Sequence, residues 1–438
     1  MGIIGCLLGF LVVIIFCYKD WSVYIATIVG AAVVMLFNWL PFAGTLTGAF
    51  VDGMFVPIKS FFFILLFGNI QAKIYSVSGA AYAIADTIMS ALLKPGASNT
   101  RKNVIAISVL LVIGIVLCMG GINASVFIVL MYPIALTIFE HCDIPKRFIL
   151  GVLGACSYTF TLTMPGSPQV TNVAAMSALG TDAAVALVPG LVGAAVEIAV
   201  IIVLLNLLIN RARARGEHFA LHPLDPHYDE NSPRPRFLVA LLPLIVLFVL
   251  FNVVVGLDIN ICIIISTALS VILFKDQLHG SSLRNLLSTG ASESIHMSMT
   301  VAAICGFAGV VTETEAFTQM LNAIISIDIS PMLICAIVVA VMCMLTGGSS
   351  TGQLISLPLI APKLTELGLS VGAIHRIGCF AATTLDSLPY SGAILMLLPL
   401  CRMKLREVYP PLFVTTVVAT TCGTAAVIIT CALFPGLT

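Results

Sequence analysis

The sequence predicts an all-α polytopic membrane protein made of two inverted repeats, each with a re-entrant helical hairpin and a broken transmembrane helix. Three observations carry that expectation. Of the 438 residues, 60% are apolar and 9% charged, against about a quarter charged in soluble domains, and the mean hydropathy is +1.12. The two halves share an ordered series of matches. Several apolar stretches are interrupted near their middles by glycine, proline and small polar residues.

Composition also excludes. Net charge is zero and no basic run is long, so nucleic acid is not an expected partner; the lipid bilayer is. The segment Gly2 to Tyr18 has no basic residue before it and no small-residue cleavage site after it, both of which a signal peptide needs. It reads as the first, uncleaved span. The thirteen cysteines show no CxxC or Cys/His spacing, so they read as small buried hydrophobes rather than metal ligands or cofactor anchors. No metal or other cofactor is expected.

A bilayer core needs about 20 helical residues. Candidate spans are 3–18, 21–40, 57–75, 186–209, 237–255, 259–275, 294–312 and 411–433. Across the halves, Asp20 matches Asp258, Gly68 matches Gly306, Gly121 matches Gly348, Arg147 matches Arg376 and Pro165 matches Pro389, at offsets of about 224 to 238. The first repeat is read as 1–210, with its hairpin at 103–140 and broken helix at 148–180. The linker is 211–236. The second repeat is 237–438, with its hairpin at 331–366 and broken helix at 373–400. The hairpin arms read as about 14–16 residues, too short to cross comfortably.

Basic residues set orientation. Lys94, Arg101 and Lys102 before the first hairpin, Lys146 and Arg147 after it, and Arg211, Arg213 and Arg215 fall inside, as do Lys275, Arg284, Arg402, Lys404 and Arg406. The second hairpin then opens outside, near Glu313 and Glu315, with Lys363 and Arg376 as exceptions. The linker, with His218, His222 and His227, reads as a solvated cytoplasmic loop. The expected location is the cell (inner) membrane, multi-pass. Inverted repeats with broken helices mark secondary transporters.

Irregular backbone at membrane depth needs protein or a watery cavity around it. Four breaks qualify: Gly120–Ser125, Pro165–Pro168, Thr346–Gly352 and Pro389–Gly392. A helix starting after such a break offers free N–H groups and a positive dipole end, a site for an anion. Asn123, Ser125, Ser349, Ser350 and Thr351 are the leading substrate residues, with Gly120, Gly121, Gly347 and Gly348 admitting close approach. Those glycines also suit plain helix packing. Ionisable residues within spans are candidates by default. Asp386, beside Pro389, reads as a proton or cation carrier, or as a cap on its broken helix. Glu197 and His296 read as proton carriers or as interhelical partners. His375 and Arg376 read as anion attractors or interfacial anchors, and Gln169 and Asn172 as substrate or backbone partners.

At these breaks the sequence resembles the gluconate permease family of proton-coupled symporters, within the ion transporter superfamily. The stretches are TMPGSPQVTN (Thr163 to Asn172), LGTDAA (Leu179 to Ala184) and HRIGCFAATTLDSLPYSGA (His375 to Ala393). The resemblance implies two re-entrant hairpins, a homodimer, elevator transport, and a small organic anion such as gluconate or another hydroxy-carboxylate moved with protons. It further implies Ser167, Gln169, Asp386, Ser387 and Ser391 as site residues. The chain departs from the family at Tyr390, where histidine is frequent. Relatives in the superfamily carry di- or tricarboxylates with sodium, which is the alternative coupling ion. An intramembrane enzyme is the rival class, but a paired aspartate and HExxH are missing, and no enzymatic activity is expected. A passive channel is the other rival, and the broken-helix pairs argue against it.

Overall fold

A computed structural model of the chain describes residues 1–19, 21–92, 96–119, 124–167, 169–222, 225, 234–252, 259–278, 283–325 and 329–438. Among these every regular element is helical. Two apolar helices, α1 (Gly2–Tyr18) and α2 (Val23–Asn38), form an antiparallel pair. The third, α3, runs through 42–77 and contains a π-helical turn at Leu46–Phe50. An amphipathic helix, α4 (Ala80–Leu92), leads to the first hairpin, α5 (Asn99–Met119) and α6 (Ala124–Cys142). Next come α7 (Ile149–Ser157), a short turn at Phe160–Thr163, α8 (Val170–Leu179) and the long α9 (Leu187–Ala214).

The second half follows a related order, with two short turns where the first half has α8. It comprises α10 (Phe237–Asn252), α11 (Ile259–Leu273), the long α12 (Leu283–Thr312), the amphipathic α13 (Glu315–Ile325), and a hairpin of α14 (Pro331–Thr346) and α15 (Ser349–Glu366). After α16 (Val371–Ala382) come short turns at Gly392–Leu395 and Leu398–Cys401, then α17 (Leu405–Leu433), with its own π-helical turn at Val414–Val418. Among the described residues, four helices are long and apolar enough to cross a bilayer: α5, α9, α12 and α17.

Helices α3 and α12 lie against each other and run antiparallel. The Nδ2 of Asn69 donates to Ser294 Oγ at 3.2 Å near one end. Near the other, a Cβ on Gly309 would stand 2.4 Å from the Ala49 carbonyl oxygen, and one on Gly53 would stand 2.5 Å from that of Cys305. Small residues let helix backbones touch where lipid offers no hydrophobic drive.

Both ends of the first hairpin lie on one face. Arg213 donates to Asn103 Oδ1 (2.7 Å) at the start of α5 and to the carbonyl oxygens of Cys142, the last residue of α6, and of Asp143 after it. The second hairpin opens on the opposite face. Its exit at Ser370 meets Thr438 (Oγ–Oγ1 2.7 Å), at the far end of α17 from Arg402, which shares a surface recess with Lys146 and Arg147.

Several helices are longer than the spans read from sequence: 42–77 rather than 57–75, Leu283–Thr312 rather than 294–312, and Leu405–Leu433 rather than 411–433. Their extra turns carry polar residues whose partners lie on other helices, as Glu293 shows with Lys73. The first hairpin's arms have 21 and 19 residues, about 30 Å at a rise of 1.5 Å per residue. Arm length therefore does not mark this hairpin as re-entrant; the shared face of its two ends describes it.

The linker is more ordered than a solvated loop over its first part. Helix α9 continues to Ala214. Beyond it Glu217 pairs with Arg147 (2.7 Å), His218 pairs with Asp143 (2.7 Å), and the buried Asp225 carboxylate meets Lys146. His227, Asp20, Asp258, Lys94 and Pro168 lie outside the described residues, as do Gly120, Gly121 and Asn123; the backbone of Ser125 belongs to α6, but its side chain is likewise outside.

Candidate functional site

The second hairpin turns because Gly347 takes φ +66° after Thr346, and Gly348 then enters α15 in an extended conformation. Helix α15 therefore begins at Ser349 with no side-chain cap, and its first N–H groups lack intrahelical partners. Ser349, Ser350 and Thr351 face a cavity of about 250 Å³. Ala124, the first described residue of α6, and Val170, the first of α8, line the same cavity. Three helix N-termini thus converge, each a positive dipole end.

The second break supplies the opposite charge. Helix α16 ends where the hydroxyls of Thr383 and Thr384 donate to the carbonyls of Phe380 (2.9 Å) and Ala381 (2.7 Å). The chain then turns through Asp386, Ser387 and Ser391, all lining the cavity. Asp386 is the one charged side chain among the described lining residues, and Ser387 Oγ donates to its Oδ1 at 2.8 Å. The hydroxyls of Ser391 and of Ser298 on α12 are buried and find no protein partner. Leaving a buried hydroxyl unpaired costs about 1–3 kcal/mol, so these two are poised for a polar ligand.

The first break takes a different part. Ser167 Oγ donates to the Thr161 carbonyl (2.6 Å), and Gln169 Nε2 to that of Cys118 (2.6 Å). Asn172 Nδ2 donates to the Ser167 carbonyl (2.8 Å). These side chains satisfy irregular backbone, as its depth requires, and neither Ser167 nor Gln169 lines the cavity. Thr171 Oγ1, 3.4 Å from Ser349 Oγ, links this break to the second hairpin's tip.

Arg376 is fully buried, which corrects its reading as an interfacial anchor. Its guanidinium donates to the carbonyls of Thr163 (2.6 Å), Val185 (2.7 Å) and Ala183 (3.1 Å) and to Asn172 Oδ1 (3.3 Å). A cation enclosed by carbonyls is not a loop cation, which removes one exception to the charge rule. Lys363, the other, sits 3.5 Å from Glu366. His375 Nε2 lies 2.9 Å from the same Asn172 oxygen, and Thr181 Oγ1 is 2.6 Å from its Nδ1.

Of the sequence-derived residues, the structure gathers Gly347, Gly348, Ser349, Ser350, Thr351, Asp386, Ser387 and Ser391 around one cavity. Glu197 is not with them. It is buried in α9, both oxygens unpartnered, against Gly423 of α17. His296, midway along α12, meets the Tyr24 hydroxyl at 3.1 Å. Tyr390, at the family's histidine position, is buried and donates to the Met344 carbonyl at 2.6 Å. Sequence reasoning missed Ser298 and Cys305; the signal lay in their helical spacing with Ser294, one small polar face on an apolar helix.

No family model matches the chain. Over 435 residues it is 25% identical to the uncharacterized transporter YxjC of Bacillus subtilis (strain 168), an alignment covering 89% of each chain. It is also similar to the crystal structure of the YdaH transporter of Alcanivorax borkumensis, with a TM-score of 0.41 and 13% identity over 90% of this chain and 89% of that one. With its long apolar helices and a transporter as its relative over nearly the full length, the chain is a multi-pass membrane protein of transporter type.

Proposed function

We propose that the chain is a secondary active transporter that carries a small organic anion, such as gluconate or another hydroxy-carboxylate, together with a proton. The observation that carries this reading is the meeting of three helix N-termini and a single carboxylate, Asp386, at one cavity. At about 250 Å³ the cavity lies below the roughly 300–1,000 Å³ of pockets for drug-sized ligands, which suits a small metabolite. The N-termini and unpaired hydroxyls favour a carboxylate. Two unit charges about 4 Å apart repel by about 4 kcal/mol at an effective dielectric constant of about 20. An anion therefore enters this cavity with the proton that neutralises Asp386, and the two solutes bind cooperatively.

The halves act as inverted repeats, a reading supported by hairpins that open to opposite faces and by the antiparallel α3 and α12. In an elevator cycle the two hairpins and two breaks slide against the remaining helices, sealing the cavity toward each side of the inner membrane in turn. Asp386 with its serine hydroxyls also offers oxygen ligands suited to sodium, so a sodium-coupled di- or tricarboxylate carrier is the second reading.

Uptake of gluconate, 3-hydroxybutyrate and citrate into proteoliposomes, under a pH gradient or a sodium gradient, tests both. Accumulation driven by the pH gradient alone is the expected result. Accumulation driven by sodium alone selects the second reading, and movement of none of them defeats the first.

A further inference from the structure

The seam that holds the cavity continues beyond it. Along α3 the lining passes from Leu65 to Asn69 and Lys73, and along α12 from Ser298 to Glu293. Along α6 it passes from Ala124 to Tyr132, and past α16 from Met396 to Leu400 and Arg402. These later residues enclose a second cavity of about 190 Å³. The five residues from Ser298 to Glu293 span roughly 7–8 Å of helix. The second cavity therefore lies between the first and the face where Arg402 joins Lys146 and Arg147.

Its chemistry is one-sided. Lys73 Nζ stands 3.0 Å, and Arg402 Nη2 3.5 Å, from the same oxygen of Glu293. Two cations share one carboxylate, which leaves one positive charge in excess. On the wall that α6 forms, Tyr132 is 2% exposed and its hydroxyl has no partner, a state that costs free energy unless a ligand relieves it. An ion triad that merely tied α3 to α12 would not account for an unpaired donor on α6, nor for the space between them.

Resting on the anion-transport reading above, we propose that this second cavity is a staging site for carboxylate anions on the route between the first cavity and the Arg402 face. Lys73, Arg402 and the Tyr132 hydroxyl bind the carboxylate there by charge-assisted and neutral hydrogen bonds. Glu293 holds the two cations between passages and yields them to the arriving anion.

The test uses the full chain with gluconate as probe. An indole reporter is placed on the wall by Leu286→Trp, with Trp21→Phe and Trp39→Phe removing the native tryptophans. Iodide quenching of that reporter is expected to fall at least two-fold on adding millimolar gluconate. Tyr132→Phe and Arg402→Gln are expected to weaken this protection about ten-fold, Glu293→Gln to strengthen it several-fold, and Ser350→Ala, in the first cavity, to leave it unchanged. Unaltered quenching in the parent, or equal protection in Tyr132→Phe and Arg402→Gln, overturns the proposal. Parallel uptake assays keep it separate from the reading it rests on. Protection without uptake of any carboxylate keeps the staging site and removes the transport reading. Uptake at full rate without protection does the reverse.

Discussion

Arg376 donates from Nη1 to the carbonyl oxygen of Thr163 at 2.6 Å, so a cation from the second half of the chain secures the broken backbone of the first. Hydrogen bonds to charged groups contribute about 1.5–3 kcal/mol each, and buried carbonyls left without a donor cost a similar amount. Arg376→Gln is expected to lower the thermal unfolding midpoint in detergent by on the order of 10 °C, and Arg376→Lys to recover only part of it, because lysine lacks the planar fork. A midpoint equal to the parent's for Arg376→Gln would show that the bonds carry little.

Asp386→Asn keeps the shape of the second break but removes the ionisable group. Equilibrium exchange of labelled gluconate across the vesicle membrane should continue, while pH-driven accumulation falls at least ten-fold. Normal accumulation in this variant would move coupling elsewhere in the chain.

At the second hairpin's tip, Ser350→Ala deletes one donor next to the N–H groups that open α15. A neutral hydrogen bond contributes about 0.5–1.5 kcal/mol net, so binding of the transported carboxylate should weaken about three- to ten-fold. Ser298→Ala should act alike from the opposite wall. The concentration dependence of thermal stabilisation measures both, and unchanged dissociation constants for the pair would displace the pocket.

Glu197 presses a carboxylate without partners against Gly423, where a Cβ would lie 2.5 Å from its Oε1. Burying a lone carboxylate carries a large penalty when it ionises. Glu197→Gln, which cannot ionise, should fold at least as stably and retain pH-driven uptake, whereas Gly423→Leu should destabilise by overpacking, at about 1–3 kcal/mol or more. Loss of accumulation in Glu197→Gln with binding intact would place Glu197 in the coupling path.

Asp143, just beyond α6, accepts from His218 Nδ1 and from the Phe219 N–H at 3.0 Å. Burial pushes its carboxyl up, but those bonds and the charges of His218 and Arg213 outweigh it and hold the group below its ordinary value. A depressed acid stabilises the docked linker above the unfolded pKa of about 3.9, and that contribution is lost as pH falls through the lower folded value. Hydrogen exchange at Phe219 should therefore quicken, relative to the intrinsic rate, below about pH 4; Asp143→Asn should show fast exchange already at neutral pH. Slow exchange in that variant would contradict the assignment.

Much of the arrangement is legible in the sequence because it rests on local chemistry. The glycine pair 347–348 stops α14 and lets α15 begin with serines, and Pro389 accompanies the break that carries Asp386; both are one-dimensional signals of backbone that cannot stay helical. What the sequence conceals is partnership at a distance. Arg376 reads as an interfacial cation until Thr163, Ala183 and Val185 are seen around it. Ser167 and Gln169 read as ligands until their bonds are found on Thr161 and Cys118 carbonyls. The α12 span reads short because hydropathy penalises Glu293 alone, although Lys73 on α3 offsets its cost.

The contact of α3 with α12 at Gly53 and Gly309 brings bare main chain against main chain, leaving no flexible side chain to act as a bearing. That couple behaves as a rigid mast. Under the proposed elevator motion Ser298 and Pro57, which belong to it, stay in place while Ser349, Ser350 and Asp386 travel. A passenger must let go of the mast on every trip but can keep its grip on the moving tips, so selectivity resides in the residues that ride along, and the fixed wall governs how readily the ride begins.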